Sequence, residues 1–559
     1  MEFLIRRGFL YPSFEIYGGV AGFYDYGPLG AMLKHEIEET WRKFYCYREG
    51  YLEIHCPTIS PEKVFIASGH VKSFVDPIVK CKKCGQTYRA DHLIENRLDI
   101  SVAGNSLEEM TKIIREKKIR CPSCGGELGE VTAYNLMFKT SIGPEGKKTG
   151  YLRPETAQGM FILFPRLYQF FRKKLPFGVA QIGKAYRNEI APRQGLIRLR
   201  EFTQAEVEIF VNPENKEHKK FEKIKNYEVK LLPRDRDEEI YISLYQAIKD
   251  KILPHTMLAY QIFLVENFLV EVGIKKDKIR FRQHKLNEMA HYASDCWDAE
   301  VFTNRYGWIE VVGIADRTDY DLKSHEKYSG IELNAFIEFK KPKKIKKVYI
   351  EPNLKKLGPK YRNRIKEIIE EIKKIPKEKI EEFKRKKILK IKDIELKDDE
   401  IIIKEKEEVI HGKKVTPHVI EPSFGIDRIV YCILEHNYIE RNGRRVLSLR
   451  PKISPIKFAV FPLVEKHEIL ELAEEIFEKL KYLGYPCIFD SKDSIGRRYA
   501  RVDEIGVPFS ITIDFDSLSK ESVTIRERDS MRQVRVKIEK LSTILKRLIE
   551  EEISFDSLT

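Results

Sequence analysis

Apolar residues at Leu29, Leu33, Ile37, Trp41 and Phe44 recur at helical spacing and predict a helix over residues 29–49. The run Tyr24-Asp25-Tyr26-Gly27-Pro28-Leu29-Gly30 leads into it, with Pro28 suited to a first turn, and Gly50 ends it. Phe14–Tyr17 before this helix and Tyr51–Pro57 after it read as short strands. Within Phe177–Phe210, two segments of period two flank a polar loop, Asn188–Arg198. Residues 211–290 read as mostly helical and charged. Over 331–412 Lys and Glu displace the aromatic residues, with helices near 358–390. The C-terminal stretch alternates a strand (Phe458–Leu463), an amphipathic helix (Glu465–Leu483, with Ile469, Leu472, Ile476 and Leu480 on one face), a helix capped by Ser494 and stopped by Gly506, and a strand (Pro508–Ile513). That order predicts a compact α/β domain on a parallel or mixed sheet.

At 559 residues the chain exceeds a single hydrophobic core, so three or more structural units are expected. The net charge of +15 points to a polyanionic partner, nucleic acid before membrane. Charged residues make up 33%, a balance suited to ion-pair networks at high temperature. No apolar run approaches the roughly 18 residues of a transmembrane helix, and Glu2, Arg6 and Arg7 interrupt any signal-peptide core at the N-terminus. A cytoplasmic protein is expected. Nine cysteines in such a length do not describe a disulfide scaffold.

The densest chemistry lies in Phe177–Phe210. Period two puts Gln181 and Arg187 on one face of the first strand, and Gln204, Glu206 and Glu208 on one face of the second. Arginines and carboxylates converging on a sheet face are costly to bury without a charged ligand. Arg193, Arg198 and Arg200 add guanidinium groups, which grip phosphates bidentately and so suit a triphosphate. Downstream, Glu421-Pro422-Ser423-Phe424-Gly425-Ile426-Asp427-Arg428 turns into the apolar Ile429-Val430-Tyr431. An Arg at the start of that helix reaches a phosphate with the helix N-terminus behind it. Asp427 stands beside Arg428 and is expected to form a local ion pair with it.

Together these segments resemble motifs 2 and 3 of class II aminoacyl-tRNA synthetases. Gly150-Tyr151-Leu152-Arg153-Pro154-Glu155-Thr156-Ala157-Gln158-Gly159, Tyr186-Arg187-Asn188-Glu189, Arg200-Glu201-Phe202-Thr203 and Glu421–Gly425 look like the dimeric glycyl-tRNA synthetases of archaea and eukaryotes. Ala290-His291-Tyr292-Ala293-Ser294-Asp295-Cys296-Trp297-Asp298-Ala299-Glu300, Gly307-Trp308-Ile309-Glu310, and Arg6-Arg7-Gly8-Phe9 with Glu15-Ile16-Tyr17-Gly18-Gly19 extend the resemblance over nearly the whole chain.

The resemblance implies an α+β fold: an antiparallel β-sheet catalytic core flanked by helices, with inserted modules and a C-terminal α/β anticodon-binding domain. Residues 1–75 (with motif 1 at Tyr51–Pro57, implying a homodimer), 136–210, 291–330 and 413–455 would form the core. Residues 76–135 would be a cysteine-pair insertion, 211–290 a helical insertion, 331–412 a Lys-rich insertion touching the tRNA acceptor stem, and 456–559 the anticodon-binding domain. The implied activity is glycine activation by ATP with Mg²⁺, then transfer to tRNA-Gly. Arg187 would hold the α-phosphate, Arg428 the γ-phosphate, and Asn188, Glu189, Arg198 and Leu199 the rest of ATP. Glu310, with Val311, would face them and bind Mg²⁺. Arg89, Glu155, Glu206, Glu421, Pro422 and Ser423 would form the glycine site, its carboxylates meeting the substrate ammonium. The competing readings are a synthetase for another small amino acid and a synthetase-like nucleic-acid-binding protein without catalysis.

Cys81-Lys82-Lys83-Cys84-Gly85 and Cys121-Pro122-Ser123-Cys124-Gly125 form two knuckle-like pairs suited to one tetrahedral, structural Zn²⁺. Cys46, Cys56, Cys296, Cys432 and Cys487 read as packing residues. Ser494-Ile495-Gly496-Arg497-Arg498-Tyr499 and Thr524-Ile525-Arg526-Glu527-Arg528-Asp529 combine basic and aromatic groups of the kind that read single-stranded bases.

Overall fold

The computed structural model describes residues 2–558 except 103, 191, 193, 291, 374, 392 and 393; Arg193 and His291 thus lie outside the described residues. The chain divides into two compact units: Met1–Leu333 with Thr416–Thr559, and Asn334–Val415. Three or more units were expected. Within the first unit the central sheet, the cysteine module and the C-terminal domain have separate hydrophobic cores.

The first unit is organised on nine strands: β1 (Leu52–Glu53), β2 (Phe177–Tyr186), β3 (Glu201–Val211), β4 (Glu228–Leu232), β5 (Ile240–Ser243), β6 (Ile279–Gln283), β7 (Asp295–Thr303), β8 (Gly307–Thr318) and β9 (His418–Gly425). They hydrogen-bond in the order β5-β4-β6-β7-β8-β9-β3-β2-β1. All neighbours are antiparallel except β1 with β2 and β4 with β6. The period-two pattern of β3 divides its side chains. Ala205, Val207, Ile209 and Val211 enter the core, while Gln204, Glu206 and Glu208 are buried on the opposite face.

Three helices support this sheet: α1 (Pro28–Arg42), α2 (Thr256–Glu271) and α3 (Ile426–His436). Leu33, Ile37 and Trp41 of α1 are fully buried, each contributing up to about 1.5–3 kcal/mol. The helix gives way at Lys43–Arg48 to a wider π-type turn rather than running to residue 49, and Gly50 closes it at φ +74°. α2 is apolar almost all round and is correspondingly buried over most of its length.

Several elements depart from the pattern-based expectations. Phe14–Tyr17 is no strand: Phe14 and Gly18 adopt left-handed backbone and bracket a 3-10 turn at Glu15–Tyr17. Of Tyr51–Pro57 only β1 pairs, at the sheet edge, and the Cys56 N–H is taken by the Gln181 side chain at 3.0 Å. The segment 211–290 carries α2, but it also supplies β4, β5 and β6 to the sheet, so it is not simply a helical insertion. Its strands are four or five residues long, too short to outweigh the helical and charged composition around them.

The cysteine module pairs Val75–Cys81 with Thr87–Arg89 and Leu128–Asn135, and packs helices Ala90–Leu98 and Leu107–Glu116 over its own core. The C-terminal domain is a five-stranded mixed sheet, Phe509–Ile513 central with Phe458–Pro462 beside it, and helix His467–Tyr482 buries Ile469, Ala473, Ile476 and Leu480. Ser494 takes the N-cap position of Ile495–Ile505 without a side-chain bond, and Gly506 closes that helix at φ +90°.

The second unit has helices Leu354–Tyr361, Ile365–Lys373 and Lys377–Lys386 where helices were expected. It also has an antiparallel ribbon of Ala335–Pro352 with Ile401–Val415 that the pattern did not announce. Much of that ribbon is exposed, so it lacks the alternation that burying one face would impose. The core of this unit gathers Ile350, Leu357, Ile368, Ile372, Phe383 and Leu396.

Candidate active site

The register of β2, β3, β8 and β9 builds two adjoining sites on one sheet face. The first is a cavity with about 720 Å³ of empty space, partly open to solvent, whose lining includes Arg187, Glu189, Arg198, Leu199, Glu310, Val311 and Arg428. Arg187 follows the last residue of β2. Its backbone N–H bonds Arg200 O at 2.9 Å and its guanidinium lies near the rings of Phe74 and Phe202 at 5.4 and 5.3 Å. Among its described partners the side chain has one hydrogen bond, Nε to Pro154 O at 3.3 Å, which leaves donors for a ligand.

Arg428 lies in the first turn of α3. Its Nε donates to Ile197 O at 3.0 Å, and its Nη1 to Glu310 O at 2.8 Å and Glu310 Oε2 at 3.1 Å. Arg198 Nε donates to Glu189 Oε2 at 2.7 Å. Asn188 does not line the cavity, and its N–H bonds Leu136 O at 2.7 Å. Arg200, counted among phosphate-gripping groups, instead donates to the carbonyls of Ala21 and Glu189 at 2.7–3.1 Å. A guanidinium already committed to carbonyls that fix the loop has few donors left for a phosphate.

Asp427 does not pair with its neighbour Arg428. It is buried under the cavity, where Oδ1 accepts from Tyr26 Oη at 2.5 Å and Lys34 Nζ at 2.7 Å, and Oδ2 from the Thr203 N–H at 2.5 Å. Burial alone would raise its carboxyl; the Lys34 charge and the bonds from Lys34, Tyr26 and Thr203 hold it below the ordinary value.

The second site adjoins the cavity at Ser423. Glu206 and Ser423 are directly opposite in β3 and β9. Ser423 Oγ donates to Glu206 Oε1 at 2.6 Å, and the Thr156 N–H to Oε2 at 2.8 Å, with the Thr156 hydroxyl on the same oxygen. Glu421 accepts from Arg317 Nη1 with both oxygens at 3.0 Å, while Arg317 also grips Asp321 at 2.9 and 3.1 Å. Pro422 lies between them in β9, opposite Ile314.

Glu155 meets Gln158 Nε2 at 2.8 Å and His70 Nε2 at 3.6 Å. Burial would raise the Glu155 carboxyl, but His70, Arg317 and Gln158 hold it well below the usual range. Gly183 of β2 is required here, because a Cβ would stand 2.2 Å from an Nη atom of Arg153. That arginine bonds Lys184 O and Cys56 O at 2.8 and 3.0 Å and so ties the Glu155 loop to the sheet.

Arg89 does not join these carboxylates: it pairs with Asp76 at 3.0 Å and with Asp91. Asp76 is also 4.0 Å from Arg198, so Arg89 is linked to the first cavity only through Asp76 and Arg198. Sequence reasoning missed Arg317, Asp321, His70 and the role of Gln158. The spacing of Arg317 and Asp321, four apart where β8 passes into helix Tyr320–Ser329, was the available signal.

The four knuckle cysteines converge. Cys81 and Cys124 Sγ atoms are 3.6 Å apart, as are those of Cys84 and Cys121, and all four lie within 4.8 Å of one another. A tetrahedral Zn²⁺ with bonds of about 2.3 Å requires S–S edges of about 3.8 Å. Gly126 leaves room for them, since a Cβ there would meet Cys81 and Cys124 sulfurs at 3.1 and 3.2 Å. Cys296, read as a packing residue, faces His284 Nε2 at 3.9 Å beside Asp298.

In the C-terminal domain, three arginines expected at an RNA surface are buried and committed internally. Arg498 serves Pro462, Asp490 and Leu463 carbonyls, Arg526 grips Asp503 at 2.8 and 2.9 Å, and Arg528 serves Gly506 and Leu449 carbonyls. Arg497 alone of that group keeps an exposed side chain, 77% accessible.

Residues 138–232 match the tRNA synthetase class II core domain (G, H, P, S and T), and residues 457–548 the anticodon binding domain. The fold is therefore of the class II tRNA synthetase type. Glycine-tRNA ligase of Methanocaldococcus jannaschii is 54% identical over 568 residues, covering 99% of this chain and 98% of its own length. The Pyrococcus furiosus glycine-tRNA ligase is 51% identical over 557 residues, 98% of either chain, and that of Methanothermobacter thermautotrophicus 51% over 549 residues, 97% of either. The chain belongs to the glycine-tRNA ligase family.

Proposed function

We propose that this protein activates glycine with ATP, giving glycyl-adenylate and pyrophosphate, and then passes glycine to the 3′ end of tRNA-Gly. The observation that carries this reading is the pair of arginines, Arg187 and Arg428, lining one cavity whose wall continues through Ser423 to Glu206 and Glu421. A carboxylate oxygen of glycine attacks the α-phosphorus and pyrophosphate leaves. Arg187 stabilises the negative charge that builds on the α-phosphate, and Arg428 holds the γ-phosphate. Glu189, Arg198 and Leu199 shape the nucleotide pocket, and Asn188 fixes its backbone.

No nucleophile of the protein is required, because orientation and electrostatics carry the reaction. Glu310, half exposed beside Arg428, would hold Mg²⁺, which neutralises triphosphate charge when bound. Glu206, Glu421, Glu155 and Ser423 receive the ammonium of glycine, and Arg89 acts through Asp76 and Arg198.

The four cysteines would hold a structural Zn²⁺ that braces residues 76–135. The C-terminal domain contributes tRNA recognition, with Arg497 on its surface, and the Lys-rich unit 334–415 contacts phosphates of the acceptor arm. The edge strand β1 supports assembly as a homodimer. Glycine-dependent exchange of pyrophosphate into ATP tests the central claim: exchange with glycine supports it, exchange with serine or alanine instead points to another small substrate, and no exchange refutes catalysis.

A further inference from the structure

Glu208 has no part in the scheme above, yet it lies directly beneath the glycine site. It follows Glu206 by two residues in β3, so both side chains leave the same face. The register that sets Glu206 against Ser423 and Ile209 against Ile420 puts Glu208 across from Glu421. The carboxylates of Glu206, Glu208 and Glu421 each offer an oxygen within 4.8 Å of the other two.

Their surroundings differ. Glu206 is served by Thr156 and Ser423, and Glu421 by both arms of its contact with Arg317. Glu208 is fully buried, and among the described residues neither of its oxygens has a hydrogen-bond partner. The charged groups facing this pair are Glu206 from β3, Arg317 from β8, Asp321 from helix Tyr320–Ser329, and Glu155 from the loop before helix Ala157–Ile162. One guanidinium, already divided between Asp321 and Glu421, does not balance that many carboxylates. An ionised, donor-free carboxylate opposite another one is strongly disfavoured, whereas a proton on either removes one of the two facing charges.

We propose that Glu208 and Glu421 hold one proton between them in the empty site, and that the ammonium of glycine expels it. The bond broken is the O–H of that shared carboxyl; the proton passes to solvent and the carboxylate left behind pairs with the ammonium. This rests on the placement of glycine beside Glu206 and Glu421 proposed above. Burial pushes the Glu421 carboxyl up, with Arg317 opposing and Glu206 and Glu155 adding. Burial and the facing Glu421 push Glu208 well above the ordinary value as well. Glycine binding is therefore proton-linked: while the pair holds its proton, the KM for glycine rises as pH falls, by up to about tenfold per pH unit.

The test is titration calorimetry of the full enzyme with glycine in two buffers of different ionisation enthalpy, with the glycine KM measured from pH 6 to 8. The wild type is expected to release protons on binding glycine, with no less released per site near pH 6 than near pH 8. Glu208→Gln supplies an amide donor to Glu421 but no titrating proton, so release falls towards zero and the KM profile flattens. No release from the wild type, or undiminished release from Glu208→Gln, overturns the proposal. Glu206→Gln separates the two readings. A weakened affinity for glycine upholds the pocket whatever the proton count, and wild-type affinity overturns the pocket and this inference with it.

Discussion

Replacing Asp427 by Ala should destabilise the first unit by about 4 kcal/mol and loosen its hold on ATP together. Asp427 is 3% exposed and Lys34 9%, so their 2.7 Å ion pair is screened little by water. The carboxylate also receives Tyr26 and the Thr203 N–H. Alanine would strand the Lys34 ammonium with Thr203 Oγ1 at 2.7 Å as its remaining hydrogen-bond acceptor, and would orphan the Thr203 N–H. Breaking a buried pair from one side costs about 3–5 kcal/mol, and an orphaned buried N–H about 1–3. The two overlap, which is why about 4 kcal/mol is expected and not their sum.

Asp427→Asn keeps an acceptor and should cost about half as much. Lys34→Ala combined with Asp427→Ala removes the stranded charge and should be milder than the two single changes added, by about 2 kcal/mol. The contribution is complete above the ordinary aspartate value of about 3.9 and is lost as pH falls through the depressed native value, so it should not vary between pH 6 and 8.

Calorimetric melting at a fixed scan rate would read the stability, with a fall in Tm of about 5 °C for the alanine variant. Pyrophosphate exchange against ATP concentration would read the site, where the KM for ATP should rise because Arg428 is the next residue in the same turn. A loss under about 1 kcal/mol, or strict additivity of the two alanine changes, would refute the reasoning.

Four shorter predictions follow from the same geometry. Arg187→Ala should lower exchange about 10²–10³-fold while circular dichroism stays unchanged; a loss under tenfold would remove the α-phosphate role. Ser423→Ala takes the 2.6 Å bond from Glu206 and should raise the KM for glycine about 5–30-fold with little effect on the KM for ATP. Purified protein should carry about one zinc per chain, and Cys84→Ser should abolish it on elemental analysis; metal-free wild type would sink the zinc claim. Because Ala335 pairs with Val415, a short turn joining these positions could replace the Lys-rich unit. The deletion should raise the KM for tRNA and spare glycine activation, and unchanged tRNA kinetics would contradict the phosphate contacts.

What the sequence determined by itself is what neighbouring residues decide. The stripe from Leu33 to Trp41, the alternation through β3 that buries Val207 and Ile209 opposite Glu206 and Glu208, and the paired cysteines each depend on local periodicity or spacing, and each was legible along the chain. The convergence of Arg187 with Arg428 was legible only through resemblance, since 241 positions separate them. Tertiary structure alone decided how each charge is used. Arg317 meets Glu421 across 104 positions, and Asp427 meets Tyr26 across 401. Arg498, Arg526 and Arg528 look like an RNA surface in sequence, yet they are buried against carbonyls and Asp503, while Arg497 next to them stays in water. A guanidinium is the same group in either place. Whether it binds a phosphate, anchors a loop or holds a neighbouring carboxylate depends on which acceptors the fold brings within about 3 Å, and only the packed sheet and helices supply that.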